Sequence, residues 1–190
     1  MENSLANGGE PQTLKIEKGR PQDMSGRLAK EQRVYALLGG LGIAYERVDH
    51  EPLMTIEACA GVDALLGVNI CKNLFLCNAQ RTQFYLLLMP GEKKFRTAVL
   101  SRQIGSARLS FADEGHMLAF LDITPGSVSV MGLMNDREHR VRLLIDRDVL
   151  QTPRFACHPC INTSSLCMDT RDLIEKVLPA MGVGYTVVDL

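Results

Sequence analysis

The sequence predicts a single α+β domain built on a mixed, largely antiparallel sheet, and three observations carry that expectation. Strand-like runs outnumber helix-like ones along the chain. Residues 74–77 and 84–89 are apolar runs joined by the polar turn 78–83. Residues 128–134 and 140–145 flank Asn135-Asp136-Arg137, the composition of a hairpin turn. Local connections of this kind favour antiparallel pairing over a doubly wound parallel sheet.

Residues 1–24 read as a disordered tail, because Asn-Gly-Gly-Glu-Pro and Lys-Gly-Arg-Pro are rich in breakers and poor in apolar side chains. The folded domain then spans 25–190. Ser25 is placed to cap a helix opening near Gly26. Leu28, Val34, Leu37, Leu38 and Leu41 supply its apolar face, and Gly39, Gly40 and Gly42 end it. Residues 43–48 alternate as a half-buried strand does, and His50-Glu51-Pro52 breaks the pattern. Thr55 can cap a short helix carrying Ile56, Cys59 and Ala60. Beyond the 74–89 pair, 97–104 reads as a helix, 108–111 as a strand and 113–121 as a helix with Asp113 at its N-cap. Residues 154–157 form a short strand that runs into a His158-Pro159 turn. Asp169 caps a helix ending at about Leu178, and 185–188 are the last strand, after Gly182.

Composition narrows the function classes. The 190 residues are enough for one domain with a full core. With no Trp and 5% aromatic residues, that core is aliphatic. A net charge of -1 argues against a non-specific nucleic-acid coat, though not against a local basic patch. No stretch approaches the roughly 20 apolar residues of a membrane span, and residues 1–22 lack an apolar signal core. The expectation is a cytoplasmic protein with no membrane partner, its six cysteines reduced thiols.

Three segments carry chemistry. Cys71-Lys72-Asn73-Leu74-Phe75-Leu76 puts a cation and an amide at the mouth of an apolar strand. Thr124-Pro125-Gly126-Ser127-Val128-Ser129-Val130 is a turn in which Gly126 lets a ligand approach the backbone, with N–H groups suited to an oxyanion. His158-Pro159-Cys160-Ile161-Asn162-Thr163 supplies an imidazole and a second amide. Each has an ordinary structural reading when taken alone: a solvated strand-entry lysine, a common connector, a hydrogen-bonding histidine before proline. Cys157 and Cys160 have the spacing of half a zinc site, but no second Cys-x-x-Cys completes it. Lys93, Lys94, Arg96, Arg102 and Arg108 form a charge run that suits a solvated face, or a patch for an RNA end together with Lys72.

In this order the three segments resemble the YbaK/prolyl-tRNA synthetase editing-domain superfamily, over about residue 43 to the C-terminus. The likeness is strongest to its free-standing Ala-tRNA(Pro) deacylases. The resemblance implies a curved mixed sheet with helices outside. It implies trans-editing: hydrolysis of the ester of mischarged alanyl-tRNA for proline, with no metal or organic cofactor. It implies catalytic roles for Lys72, Asn73, Gly126 and His158, and substrate contacts from Thr55, Ser127, Ser129, Val130, Ile161 and Asn162. Met54, Val130 and Ile161 are expected to wall the pocket. The partners are the aminoacylated 3′ end of tRNA and, beside it, prolyl-tRNA synthetase. His50-Glu51-Pro52-Leu53-Met54-Thr55 is similar to another family segment, in which His50 reads as structural. The family loop ordinarily reads Gly-x-x-x-Pro, whereas position 130 here is Val. That departure keeps cysteinyl or seryl specificity open. A non-catalytic tRNA- or synthetase-binding module, docking through a helix over 27–41, is the other alternative.

Overall fold

The computed structural model describes residues 14–53 and 60–190, so Met54, Thr55 and the helix cap expected at Thr55 lie outside the described residues. Nine strands form two sheets within the described chain. In the first, β1 (Glu17–Lys18) pairs with β2 (Tyr45–Asp49), β2 with β8 (Ser164–Asp169), and β8 with β7 (Arg154–Cys157), all antiparallel. In the second, β3 (Lys72–Asn78) lies between β5 (Leu109–Phe111) and β4 (Phe84–Met89), antiparallel to both. Beyond β4, β6 (Val141–Asp146) and β9 (Tyr185–Val188) run parallel to it. The expected mixed, mostly antiparallel α+β domain is what the chain forms, divided between two sheets.

Period-two alternation sorts the side chains of the second sheet. Phe75, Cys77, Phe84, Leu86, Leu88, Leu143 and Ile145 enter one core, which also contains helix α1 (Ala29–Gly40) through Val34, Tyr35 and Leu38. Leu76, Tyr85, Leu87, Met89 and Leu144 enter another, closed by Leu100 of α3 (Thr97–Gln103). All six residues of β4 are buried, as a central strand covered on both faces requires. A third cluster joins Val48, Ala156 and Cys167 to Val62 and Leu66 of α2 (Ala60–Leu66). No helix among the described residues is long and apolar enough to cross a membrane.

Several elements depart from the sequence reading. Residues 128–134 and 140–145 form no hairpin. Val130–Asn135 is instead a 3-10 helix, started by Ser129, whose hydroxyl accepts from the Met131 N–H. It packs where Gly132 lies against Leu121 and Ile123, a contact no strand residue with a side chain fits. β6 is therefore free to pair with β4, and the buried apolar run was compatible with either state. The tail does not extend to residue 24, since Glu17 and Lys18 pair with Arg47 and Glu46. Helix α1 begins at Ala29, and Leu28, not Ser25, occupies the N-cap position. The 170–180 helix is α6 (Thr170–Asp172) and α7 (Leu178–Ala180) joined through a π-turn at Leu173–Val177, and the Asp169 side chain makes no capping bond. Asp113 does cap α4 (Glu114–Leu121), accepting from the His116 N–H at 3.0 Å. Two elements have no counterpart in the sequence reading: β8, and α5 (Arg147–Gln151), which is capped by Asp146.

Candidate active site

Lys72 and Asn73 are divided by the pleat of β3. Lys72 falls on the face shared with Leu74 and Leu76, and Asn73 on the face shared with Phe75 and Cys77. Lys72 is half-buried, and its ammonium donates to the Lys93 carbonyl at 2.8 Å. It has no carboxylate partner among the described residues. Lys93 differs: its ammonium is held by Asp146 at 2.8 Å and Asp148 at 2.7 Å. The run from Lys93 to Arg108 is therefore not uniformly free, because its first member is neutralised.

Asn73 donates to the Cys71 carbonyl at 3.0 Å, while its own side-chain oxygen is buried with no partner among the described residues. A buried amide oxygen left unpaired costs about 1–3 kcal/mol. Such an atom marks a place where a ligand or a water completes the site.

The second segment turns at Gly126, whose φ of 84° suits a residue without a Cβ. Ser127 is buried and spends both its N–H (3.1 Å) and its hydroxyl (2.8 Å) on the Thr124 carbonyl. The turn is anchored from α1: the Lys30 ammonium donates to the Asp122 carbonyl, and the Arg33 guanidinium to the Asp122 carboxylate and Asn135. Helix α1 thus packs into the domain and braces this loop. Its outer face, with Gln32, Arg33 and Ala36, stays exposed.

The third segment meets the second directly. The Ser129 hydroxyl donates to the His158 carbonyl at 2.5 Å. Nδ1 of His158 donates to the Ser164 carbonyl at 2.8 Å, which leaves Nε2 as an acceptor. Burial pushes the His158 imidazole down from its ordinary value, and neighbouring His50 pushes it the same way, so the ring is neutral at pH 7. Cys160, in the left-handed region at φ 65°, closes the turn. The segment is tied to the chain after β2 by the His50 N–H on the Thr163 carbonyl and the Leu53 N–H on the Asn162 carbonyl.

His50 is the residue that sequence reasoning set aside. Its ring centroid is 5.9 Å from that of His158, and its Nε2 accepts from the Ser165 hydroxyl at 2.9 Å. Its Nδ1 donates to the Glu51 carbonyl at 2.9 Å. Burial lowers this imidazole too. The available signal was its position at the end of a strand just before a proline, a place where a side chain turns inward as the chain leaves the sheet.

Behind the pair lies an ionic network. Arg27 binds Glu31 and Asp49, and buried Arg47 binds Asp49 and Glu17. Tyr35 donates to Glu31 at 2.8 Å. Burial alone would raise the Asp49 carboxyl; the bonds from Arg27 and Arg47 override it and hold it at about 2.

Cys71, Cys157 and Cys160 are poorly suited to act as nucleophiles. Burial pushes the thiols of Cys71 and Cys160 up to about 12 and raises that of Cys157 as well. Among the described residues, no group of three or more His, Cys, Asp or Glu is arranged to hold a metal ion. Val130 has no exposed surface and Ile161 very little. Val130 is thus a core residue that reaches a bound molecule only through whatever stands in front of it. A groove of about 550 Å³ between Lys18, Tyr45, Arg154 and Met168 touches none of these segments, so volume alone does not point to the chemistry.

Together the segments offer a cation, a buried amide oxygen without a partner among the described residues, a glycine turn and a neutral imidazole whose Nε2 is left as an acceptor. The model of the aminoacyl-tRNA editing domain family matches residues 50–176, a stretch that contains every one of these groups. The chain is 34% identical over 160 residues to the prolyl-tRNA editing protein ProX of Acetoanaerobium sticklandii, covering 84% of this chain and 97% of that one. It is 29% identical over 138 residues to prolyl-tRNA synthetase associated domain-containing protein 1 of Danio rerio, covering 71% and 74%. A solved structure described as a candidate trans-editing enzyme for prolyl tRNA synthetase superposes with a TM-score of 0.63 at 18% identity, covering 86% and 97%, which speaks for the fold.

Proposed function

This chain belongs to the aminoacyl-tRNA editing domain family, and we infer that it is a free-standing aminoacyl-tRNA deacylase that removes alanine from tRNA for proline. The structural observation that supports this reading is the Ser129–His158 bond, which joins the glycine turn to the imidazole segment.

The reaction is ester hydrolysis. A water oxygen attacks the aminoacyl carbonyl carbon and the bond to the ribose oxygen breaks. Free alanine and a tRNA with an intact 3′ end leave. The buried neutral thiols supply no nucleophile, so the reading assigns attack to water, assisted by the neighbouring ribose hydroxyl of the substrate. The protein contributes position and electrostatics. Lys72 holds the terminal nucleotide. Asn73 gives its buried oxygen to a ribose hydroxyl or to the attacking water. The Ser127 N–H is spent within the turn, so the N–H groups of Gly126 and Val128 are left for the developing oxyanion. His158 accepts from the α-ammonium through Nε2, and Asn162 and Ile161 close the amino-acid end. Thr55 and Met54 complete this assignment from the chain after Leu53.

A size sieve explains why such an enzyme exists. One methylene is worth only about 1–3 kcal/mol in a synthetase pocket, so alanine enters a site made for proline. A second, smaller site excludes proline by clash. Prolyl-tRNA synthetase is then the partner that generates the substrate.

The test is hydrolysis of labelled alanyl- and prolyl-tRNA for proline by wild type and Lys72→Ala. Loss of alanine that depends on Lys72, with prolyl-tRNA spared, supports the reading. If neither ester is cleaved, nor the cysteinyl and seryl esters, the deacylase reading fails.

A further inference from the structure

From Lys93 to Ala112 the chain carries Lys93, Lys94, Arg96, Arg102 and Arg108 and not one Asp or Glu, although the whole protein has a net charge of -1. Lys93 is consumed by Asp146 and Asp148. The other four are exposed and have no acidic partner among the described residues. Two aromatic rings lie within this island. Phe95 packs against the core under α3, and Phe111 meets it with ring centroids 6.3 Å apart, edge to face. Phe111 is 65% exposed, the most exposed of the large apolar side chains. An exposed ring braced from below, in a segment whose four other cations have no acidic partner among the described residues, is an unfavourable arrangement for a surface facing only water.

The island is in register with the proposed active site. Phe111 pairs with Leu76 of β3, four residues from Lys72 and therefore on the same face of the sheet. Four residues of strand span about 13 Å. The path is also continuous through the chain: the Lys72 ammonium rests on the Lys93 carbonyl, two residues before Phe95. Leu74 and Leu76 on that face are core, so a strand of nucleotides leaving Lys72 would cross the outside of the Lys93–Phe95 segment to meet Phe111.

We propose that Phe111, braced by Phe95 and flanked by Lys94, Arg96, Arg102 and Arg108, is a stacking platform for the unpaired 3′ strand of the tRNA. A base lies on the Phe111 ring, and the arginines and Lys94 meet the phosphates on either side. This rests on the editing reading given above. Base–aromatic stacking is indifferent to sequence, so the platform orients the strand and sends its terminal adenosine toward Lys72 without reading the bases it holds. The remaining identity checks fall to the amino-acid pocket. A protein partner would not require the combination of exposed ring and unpaired cations; the charge complementarity here is to a polyanion with flat faces.

The experiment measures binding of uncharged tRNA for proline, and of an acceptor-stem RNA hairpin with and without its unpaired 3′ end, to the full chain over a range of salt. The variants are Phe111→Ala, Phe111→Tyr and Lys94→Ala/Arg96→Ala. Phe111→Ala is expected to weaken binding of the tailed hairpin about tenfold, and Phe111→Tyr to restore it. Phe111→Ala leaves the already weaker binding of the untailed hairpin unchanged. The double variant lowers the slope of log affinity against log salt by about 1.4, that is, about 0.7 for each phosphate contact on a single strand. Binding and salt slope equal to wild type in all variants would overturn the platform. So would an equal loss for tailed and untailed hairpins, which assigns the patch to duplex. Wild-type hydrolysis separates the two readings: cleavage with unaltered variant binding overturns the platform alone, and a wild type that neither cleaves nor binds overturns both.

Discussion

The Ser129 hydroxyl donates to the His158 carbonyl at 2.5 Å and accepts from the Met131 N–H at 3.2 Å, with Ser129 fully buried. One side chain therefore starts the 3-10 helix, ends the glycine turn and fixes the imidazole segment. Its loss leaves two backbone groups unpaired in a dry place.

Ser129→Ala is accordingly expected to destabilise the fold by about 1–3 kcal/mol. For a chain of this size that lowers Tm by roughly 2–4 °C per kcal/mol. Hydrolysis should fall further than stability explains, because turn and imidazole lose their common tether. Calorimetry and single-turnover hydrolysis on the same sample check this; an active Ser129→Ala protein with lowered Tm would show that the bond is structural only.

Lys72→Ala should lose about a hundredfold or more in hydrolysis, the scale expected when one preorganised electrostatic group is removed. Stability should hardly move, since the Lys72 ammonium meets only a carbonyl. Retained activity would take Lys72 out of the site.

Asn73 separates stability from function in the opposite sense. Replacing Asn73 with Leu removes an unsatisfied oxygen but also the amide's bond to the Cys71 carbonyl, and the two effects oppose each other. Asn73→Leu is expected to melt close to the wild-type temperature and to be inactive. A large drop in Tm would mean that the oxygen is paired in solution.

The two histidines set an acid limit. Both are held below their ordinary value, His158 by burial and His50, and His50 by burial against smaller opposing pulls from Glu51 and Asp49. The unfolded chain binds protons first, so stability present above roughly pH 6.5 is lost as pH falls through the folded-state values. Asp49, held at about 2, adds its own loss only in a separate window, below the ordinary carboxylate value of 3.8. Thermal melts from pH 7.5 to 5 should show a decline that His158→Gln and His50→Gln each flatten, and wild-type hydrolysis should fall over the same range as Nε2 protonates. A flat melting profile would contradict the buried, neutral assignment.

Gly132→Ala should be costly. An added Cβ would lie 2.3 Å from Cδ1 of Ile123 and 3.1 Å from the Leu121 carbonyl oxygen, both in the core. Overpacking of this kind costs about 1–3 kcal/mol. Denaturant unfolding measures it, and a wild-type midpoint would show that the 3-10 helix can shift.

Much of this was legible from local pattern. The apolar runs 74–77 and 84–89 are the strands β3 and β4, and the bounds expected for β4 are those observed. The capping role of Asp113 followed from residue type alone. What failed did so where a local pattern has two solutions. Val130–Asn135 is apolar and buried either as a strand or as a tight helix, and the choice is made by Leu121 and Ile123 crowding against Gly132. Strand β8 begins Ser164-Ser165, which reads as a loop; it is buried because Ser165 binds His50 and the Ser164 carbonyl binds His158. Where the unpaired oxygen of Asn73 lies was not legible at all, because solvation is a property of the packed chain.

The sequence by itself determined the family and proposed the candidate site: the order of the Lys72-Asn73, Gly126 and His158 segments survives without any coordinates because it is one-dimensional. It also determined the continuous apolar run that lets β4 be buried on both faces. Only the tertiary structure decided that Lys72 and Asn73 serve opposite faces of one strand, that Ser129 holds His158, and that His50 stands beside it. The β2–β8 pairing that sets Asp49 opposite Ser164 joins residues more than a hundred positions apart. Partners that distant are chosen by packing and by the need to satisfy buried polar groups, and neither acts until the chain has closed on itself.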